Sequence, residues 1–188
     1  MDIFLSICLG TGLSAACGFR IFIPFLAMSI ASLSGHLTLS HSYAWIGTYP
    51  ALLAFATAAI LEIGTYYIPW VDNFMDAIVA PAAVIAGTLA AASSMVEMSP
   101  LLKWSLALIA GGGTAAVFHA STAFLRGTST AATGGFGNHA VATAELGIAS
   151  GLSLLAIFLP ALSGITVLML LMFVIKKLFV KNAGRRRR

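Results

Sequence analysis

Three basic residues precede position 176, and two of them sit within otherwise apolar sequence. Arg20 lies inside the stretch Ile3–Leu33, beside Gly18 and four residues before Pro24. An arginine at membrane depth is costly, and such residues face a cavity, a partner or a ligand. At a helix break its guanidinium joins free backbone N–H groups in holding an anion. The competing reading is a structural pair with Glu62 or Asp72, or a side chain that snorkels to the interface. His119 and Arg126 are seven residues apart, two helical turns, and therefore share one face. With Ser121 and Thr122 beside them they could line a path for an anion or a proton, or simply bond helices together. The segment Thr128–Asn138 is dense in hydroxyls and glycines. Thr133, Gly134, Gly135 and Asn138 there suit a backbone nest for an anion or a filter. It is not a phosphate loop, because no Gly-Lys-Ser/Thr follows.

Four carboxylates accompany these groups as charge-balancing or proton-path candidates: Glu62, Asp72, Asp76 and Glu145. Asp72 and Asp76 are one turn apart on one face, a spacing that could bind a cation or relay protons. Acids at a helix start more often satisfy its amides and dipole, and that reading is favoured, with Asp72 as the N-cap. Glu62 lies one turn inside Tyr66 and Tyr67. Glu145 is placed to cap the last apolar stretch, and Glu97 and Lys103 read as solvated ends. His36 and His41 lack neighbouring cysteines or acids. No metal set, nucleophile elbow or dinucleotide fingerprint is present, so neither an enzyme nor a cofactor is expected.

These side chains sit in a chain of 188 residues that is 60% hydrophobic and 9% charged, with mean hydropathy +0.99. Soluble domains are about 45–50% apolar and about 25% charged, so a soluble globule, a disordered chain and a disulfide-stapled module are excluded. The formal charge of +4 is unevenly placed. Seven of ten basic residues (Lys176, Lys177, Lys181 and Arg185 to Arg188) fall in the last thirteen positions, leaving a body of net −3. This divides the chain into a transmembrane helical domain, 1–175, and a basic tail, 176–188. The tail points to a cytoplasmic C-terminus in a bacterial inner membrane and to anionic headgroups, not nucleic acid. Cys8 and Cys17 are too far apart on one helix for a disulfide. The start Met1-Asp2 lacks the basic region of a cleaved signal peptide.

Five apolar stretches must position the charges: Ile3–Leu33, Ala44–Ile68, Ala77–Val96, Leu101–Leu125 and Leu146–Ile175. The middle three each suit one crossing of about 20 residues. Tyr43, Trp45, Tyr49, Tyr66, Tyr67, Trp70 and Trp104 mark their faces. The outer two are interrupted, at Gly18–Pro24 and at Leu159-Pro160, so each is a kinked helix or a pair of half-helices. The expected fold is an all-α polytopic bundle of about five spans with broken first and last helices. The count becomes even if one outer stretch is a re-entrant hairpin. Gly111-Gly112-Gly113 signals close packing or a bend. A weak echo between Gly12-Leu-Ser-Ala-Ala and Gly113-Thr-Ala-Ala-Val suggests an internal repeat.

Together, Gly18-Phe-Arg20 leading to Pro24, Ile68-Pro69-Trp-Val71-Asp72 with Asp76 and Pro81, His119-Ala120, Arg126, the run Ser129–Asn138 and Glu145 resemble a small bacterial membrane family, domain of unknown function 4126. The likeness covers the chain up to the basic tail, and Gly134-Gly135-Phe-Gly137-Asn138 is its most specific part. Ser121-Thr122 stands where such proteins tend to carry Lys. His139 stands in place of Pro, and Leu146 in place of a second acid. The resemblance implies a polytopic membrane protein and supplies no substrate.

The resulting expectation is a transporter or channel-like permease for a small anionic solute, an ion or an anionic lipid headgroup. Arg20, His119, Arg126 and the Gly/Ser/Thr segment would meet the substrate. The alternative is a membrane scaffold or assembly factor in which the same residues only bind helices. Membrane lipids are the expected partners, and a homo-oligomer is compatible with either reading.

Overall fold

A computed structural model describes the backbone of residues 2–65, 69–96 and 98–185, and the side chains of these except 69–77 and 178–185. The described residues are mainly helical, and no strand occurs among them. The order is α1 (Ile3–Phe19), α2 (Phe22–Leu33), a short 3-10 helix (His41–Gly47), α3 (Tyr49–Thr65), α4 (Pro69–Ser94), α5 (Pro100–Leu106), a π-helical segment (Ala107–Gly112), α6 (Gly113–Thr133), α7 (Asn138–Phe158) and α8 (Pro160–Arg185).

α1 is the centre of the bundle and packs against α4, α6, α7 and α8. A helix that is apolar all round belongs inside, and eleven of its seventeen residues are buried. Small residues let the neighbouring backbones approach, as in other membrane bundles. Ser14 Oγ donates to the Gly87 carbonyl across to α4 at 2.6 Å. A Cβ at Gly111 would come within 2.7 Å of that same carbonyl oxygen. The Gly111–Gly113 signal thus corresponds to a π-helical turn pressed against α4.

The contacts also fix the helix directions. Gly10 meets Ala91 of α4, and Gly12 meets Ala156 of α7. Arg20, at the other end of α1, bonds to Ala142. α4 and α7 are therefore antiparallel to α1. Gly18 against Ala115 and Phe118, and Cys8 against Gly164, make α6 and α8 parallel to it. α2 runs beside α7 in the same direction, since His36 just beyond α2 lies against Phe158 with ring centroids 5.8 Å apart. Hence α1 and α2 fold back on each other at Arg20–Ile21. α7 and α8 do the same at Leu159.

Each interrupted outer stretch is thus a helical hairpin, not one kinked span. By length and composition three helices are able to cross a membrane: Pro100–Thr133, Asn138–Phe158 and Pro160–Lys177. His41–Gly47 and Tyr49–Thr65 qualify only together and bend by 68°. This corrects the assignment of the last stretch, expected to be one kinked helix or two half-helices, because each of its halves is long enough to cross by itself. α7 starts eight residues earlier than Leu146, and α8 continues past Ile175. It also bends the second stretch. α1, α2 and Ile78–Ser94 are shorter apolar helices. Leu53, Ile60, Leu61, Leu168, Met172 and Phe173 are exposed, as lipid-facing positions of such a bundle would be.

Two local expectations also change. Tyr43 is buried rather than exposed at a boundary, and the Lys103 ammonium sits 5.1 Å from its ring. Lys103 donates to Ser40 Oγ at 2.8 Å, so it is tied to the first loop rather than a solvated end. α4 begins at Pro69, which puts Asp72 inside its first turn instead of at the cap. The side chains of Asp72 and Asp76 lie outside the described residues, as do Tyr66, Tyr67 and Glu97.

Candidate functional site

The break between α1 and α2 follows from its residues. Pro24 is the third residue of α2, where a missing N–H is harmless because the first-turn amides have no partner in the helix. The chain before it leaves the helix: Arg20 is extended, with φ −145° and ψ 126°. This frees the Ile21 and Phe22 amides, and Glu62 of α3 takes both. Ile21 N–H donates to Oε1 at 2.7 Å and Phe22 N–H to Oε2 at 3.1 Å. A carboxylate at a helix N-terminus is favoured by both the hydrogen bonds and the helix dipole.

Directly behind this apex, Glu145 lies between two arginines. Arg20 Nη2 is 3.5 Å from Glu145 Oε2, and Arg126 Nε is 3.2 Å from Oε1. Arg20 Nη2 also donates to the Ala142 carbonyl at 3.0 Å, and Arg126 Nη2 lies 3.5 Å from Thr122 Oγ1. The side chains are nearly inaccessible, at 1% for Arg20, 2% for Arg126 and 3% for Glu145. Both guanidiniums are also near enough to attract Glu62. Two cations and two carboxylates, formally neutral together, are therefore gathered where α1, α2, α3, α6 and α7 meet. Arg20 is paired with Glu145, a partner that the structural alternative of Glu62 or Asp72 did not include.

The geometry of the α6–α7 hairpin brings Arg126 to Glu145. Gly134 (φ 63°) and Gly135 (φ 98°) adopt left-handed conformations, and the Gly134 N–H closes α6 on the Thr130 carbonyl. Glycine is the residue that does this without strain. Arg126 stands eight residues before Gly134 and Glu145 eight after Gly137, so antiparallel helices put them opposite each other. Asn138 Nδ2 donates to Thr130 Oγ1 at 2.9 Å nearer the turn.

The nest expected over Thr128–Asn138 is not there. α6 runs on through Thr133, and only Gly134–Gly137 turns. The run is rich in good helix termini, not a long loop. Thr133 Oγ1 accepts the Gly137 N–H at 2.9 Å, which makes it a turn cap. Thr133 and Gly134 are exposed and Gly135 is buried at the turn, two helical turns from the arginines. Glu145 is likewise not a helix cap, because α7 begins seven residues before it. His119 is buried on the α6 face that carries Arg126, and the Thr122 hydroxyl bonds its carbonyl at 3.0 Å. Cys8 and Cys17 are free and buried.

The part that sequence reasoning missed is the sharing of one carboxylate by both arginines, together with the Ala142 carbonyl and Thr130. The equal spacing of Arg126 and Glu145 about the glycine turn was a usable signal.

Because Glu62 satisfies two amides at the hairpin apex, its removal has a local readout. Glu62→Ala is expected to cost about 1–3 kcal/mol, the typical penalty for orphaning buried polar groups. Amide exchange at Ile21 and Phe22 should accelerate selectively; unchanged exchange there would refute the capping role.

No curated protein and no solved structure matches the chain. The family model described as domain of unknown function (DUF4126) matches residues 7–179, nearly the whole of it, and the chain belongs to that membrane-helix family.

Proposed function

We propose that the chain is a transporter or channel-like permease for a small anionic solute, an ion or an anionic lipid headgroup. The observation that carries this reading is the charged apex of the α1–α2 hairpin. α1 and α2, at 17 and 12 residues, measure about 25 and about 18 Å, short of a hydrocarbon core of about 30 Å. On this reading the pair is re-entrant, and its apex meets Arg20, Arg126 and Glu145 within the membrane. Broken backbone at such depth is tolerated where it borders protein or a cavity, and transporters place binding sites at such breaks. Arg20 and Arg126 attract the anion, and Glu62 and Glu145 balance charge. His119, Asn138 and the turn Thr133–Gly135 flank the route. The expected crossings are those of a polytopic bundle in a bacterial inner membrane. Its basic tail is cytoplasmic and lies against anionic headgroups.

The test is reconstitution. Liposomes carry labelled chloride, acetate or phosphate, or fluorescent phosphatidylglycerol in one leaflet. At least one probe is expected to move faster than in empty vesicles, and Arg20→Ala and Arg126→Ala should each remove the gain. Flux indifferent to both substitutions sinks this site.

The burial of the cluster favours a second reading, a scaffold or assembly factor in which the charges join five helices. It predicts that the same substitutions lower folding yield while no probe moves at all.

A further inference from the structure

We infer that Glu145 occupies the seat of a small monocarboxylate substrate, and that the substrate takes this seat as one proton binds Glu145. The inference rests on the transport reading above and names its substrate class.

The seat has the shape of a carboxylate. Two guanidiniums, one from the α1–α2 break and one from α6, converge on one planar group, Arg126 Nε on Oε1 at 3.2 Å and Arg20 Nη2 on Oε2 at 3.5 Å. Guanidinium donors match a pair of carboxylate oxygens in both spacing and plane. A free formate or acetate presents the same two oxygens. Glu145 reaches them on a flexible side chain from the interior of α7, so it can withdraw without unwinding a helix. Glu62 is differently committed: it holds the Ile21 and Phe22 amides, and leaving would orphan them.

Charge arithmetic supplies the coupling. Arg20 and Arg126 are balanced by Glu62 and Glu145. Bringing in a monoanion leaves one buried negative charge too many, unless Glu145 takes up a proton on its carboxylate and moves aside as the neutral acid. One monoanion with one proton restores neutrality, whereas a dianion would need two. The ionisable groups that the surrounding elements contribute are Arg20 at the α1–α2 apex and Arg126 on α6, which meet Glu145 directly, Glu62 on α3, which both guanidiniums attract, and His119, buried on the α6 face that carries Arg126. On its own helix His139 lies six residues earlier. On α8 ionisable residues begin only at Lys176, and the Asp72 and Asp76 side chains of α4 lie outside the described residues.

Chemical rescue tests the seat. Glu145→Ala is purified in detergent and its melting followed by tryptophan fluorescence in formate, acetate, chloride, sulfate or phosphate at matched ionic strength. Formate and acetate are expected to raise the melting temperature of the variant by several degrees beyond chloride, and to leave wild type unmoved because its seat is filled. Equal shifts with every salt, or rescue by phosphate and sulfate alone, would overturn the inference. Should the alanine variant not fold, Glu145→Gln mimics the protonated acid. It should bind labelled acetate in equilibrium dialysis more tightly than wild type does at neutral pH, and equal binding overturns the inference. Rescue with no flux of any probe in wild-type vesicles would overturn the transport reading beneath it, and flux of other probes without acetate would overturn the substrate class. Flux without rescue overturns the seat alone.

Discussion

Arg126→Leu and Glu145→Leu, made singly, are each expected to cost about 3–5 kcal/mol, the penalty for stranding a buried charge. Made together they should cost far less than the sum. The first leaves Arg20 facing two carboxylates, and the second leaves two guanidiniums facing Glu62. The double variant leaves Arg20 and Glu62, one of each sign, and fills the gap with hydrocarbon. Replacing a buried pair by apolar side chains of similar volume is often neutral. Reversible unfolding in mixed micelles measures the cycle, and residues in contact show strong non-additivity. Additive costs would mean that the 3.2 Å approach of Arg126 to Glu145 carries no coupling, and would remove the basis for treating the cluster as one unit. The same cycle with Arg20→Leu should behave alike, because the remaining Arg126 and Glu62 are again balanced.

The ingredients of this cluster were legible in the sequence, and their partnerships were not. Composition alone requires membrane helices. Arg20 beside Gly18 and Pro24 marks a break, because an arginine in apolar sequence needs a partner and a proline ends the backbone ladder. The period of 3.6 residues places His119 and Arg126 on one buried face. The folding back at both breaks is a tertiary event. A proline states that a helix is interrupted, but whether the chain continues or reverses depends on what packs against it. Here the Glu62 carboxylate, forty-one residues away in sequence, holds the start of α2. The segment before Asn138 misled for a different reason. Ala is the strongest helix former and Ser and Thr oppose a helix only weakly, and four-residue spacing lets the Ser and Thr hydroxyls bond carbonyls within the helix, as Thr130 does to Arg126. Only the two glycines with positive φ had to turn.

Gly18 and Gly113 provide the last contrast, two glycines within helices whose alanine variants should move stability in opposite directions. A Cβ on Gly18 would stand 2.7 Å from the Ala115 carbonyl oxygen and 2.7 Å from Phe118 Cβ. The first obstacle is backbone, which cannot rotate aside, so α1 must part from α6. Overpacking of this kind costs about 1–3 kcal/mol. Gly113 meets nothing within 4 Å of the same added atom, so Gly113→Ala should gain about 0.5–1 kcal/mol by removing helix-interior glycine. The two variants carry the same chemistry, and thermal melts in one detergent compare them directly. Gly18 also lies two residues before Arg20, while Phe118 lies two turns before Arg126. Displacing α1 therefore moves one guanidinium relative to the other, and Gly18→Ala should weaken the Arg20–Glu145 coupling as well as lower stability. If Gly18→Ala is as benign as Gly113→Ala, the close approach of α1 to α6 does not position the arginines, and the site must be held by its ion pairs alone.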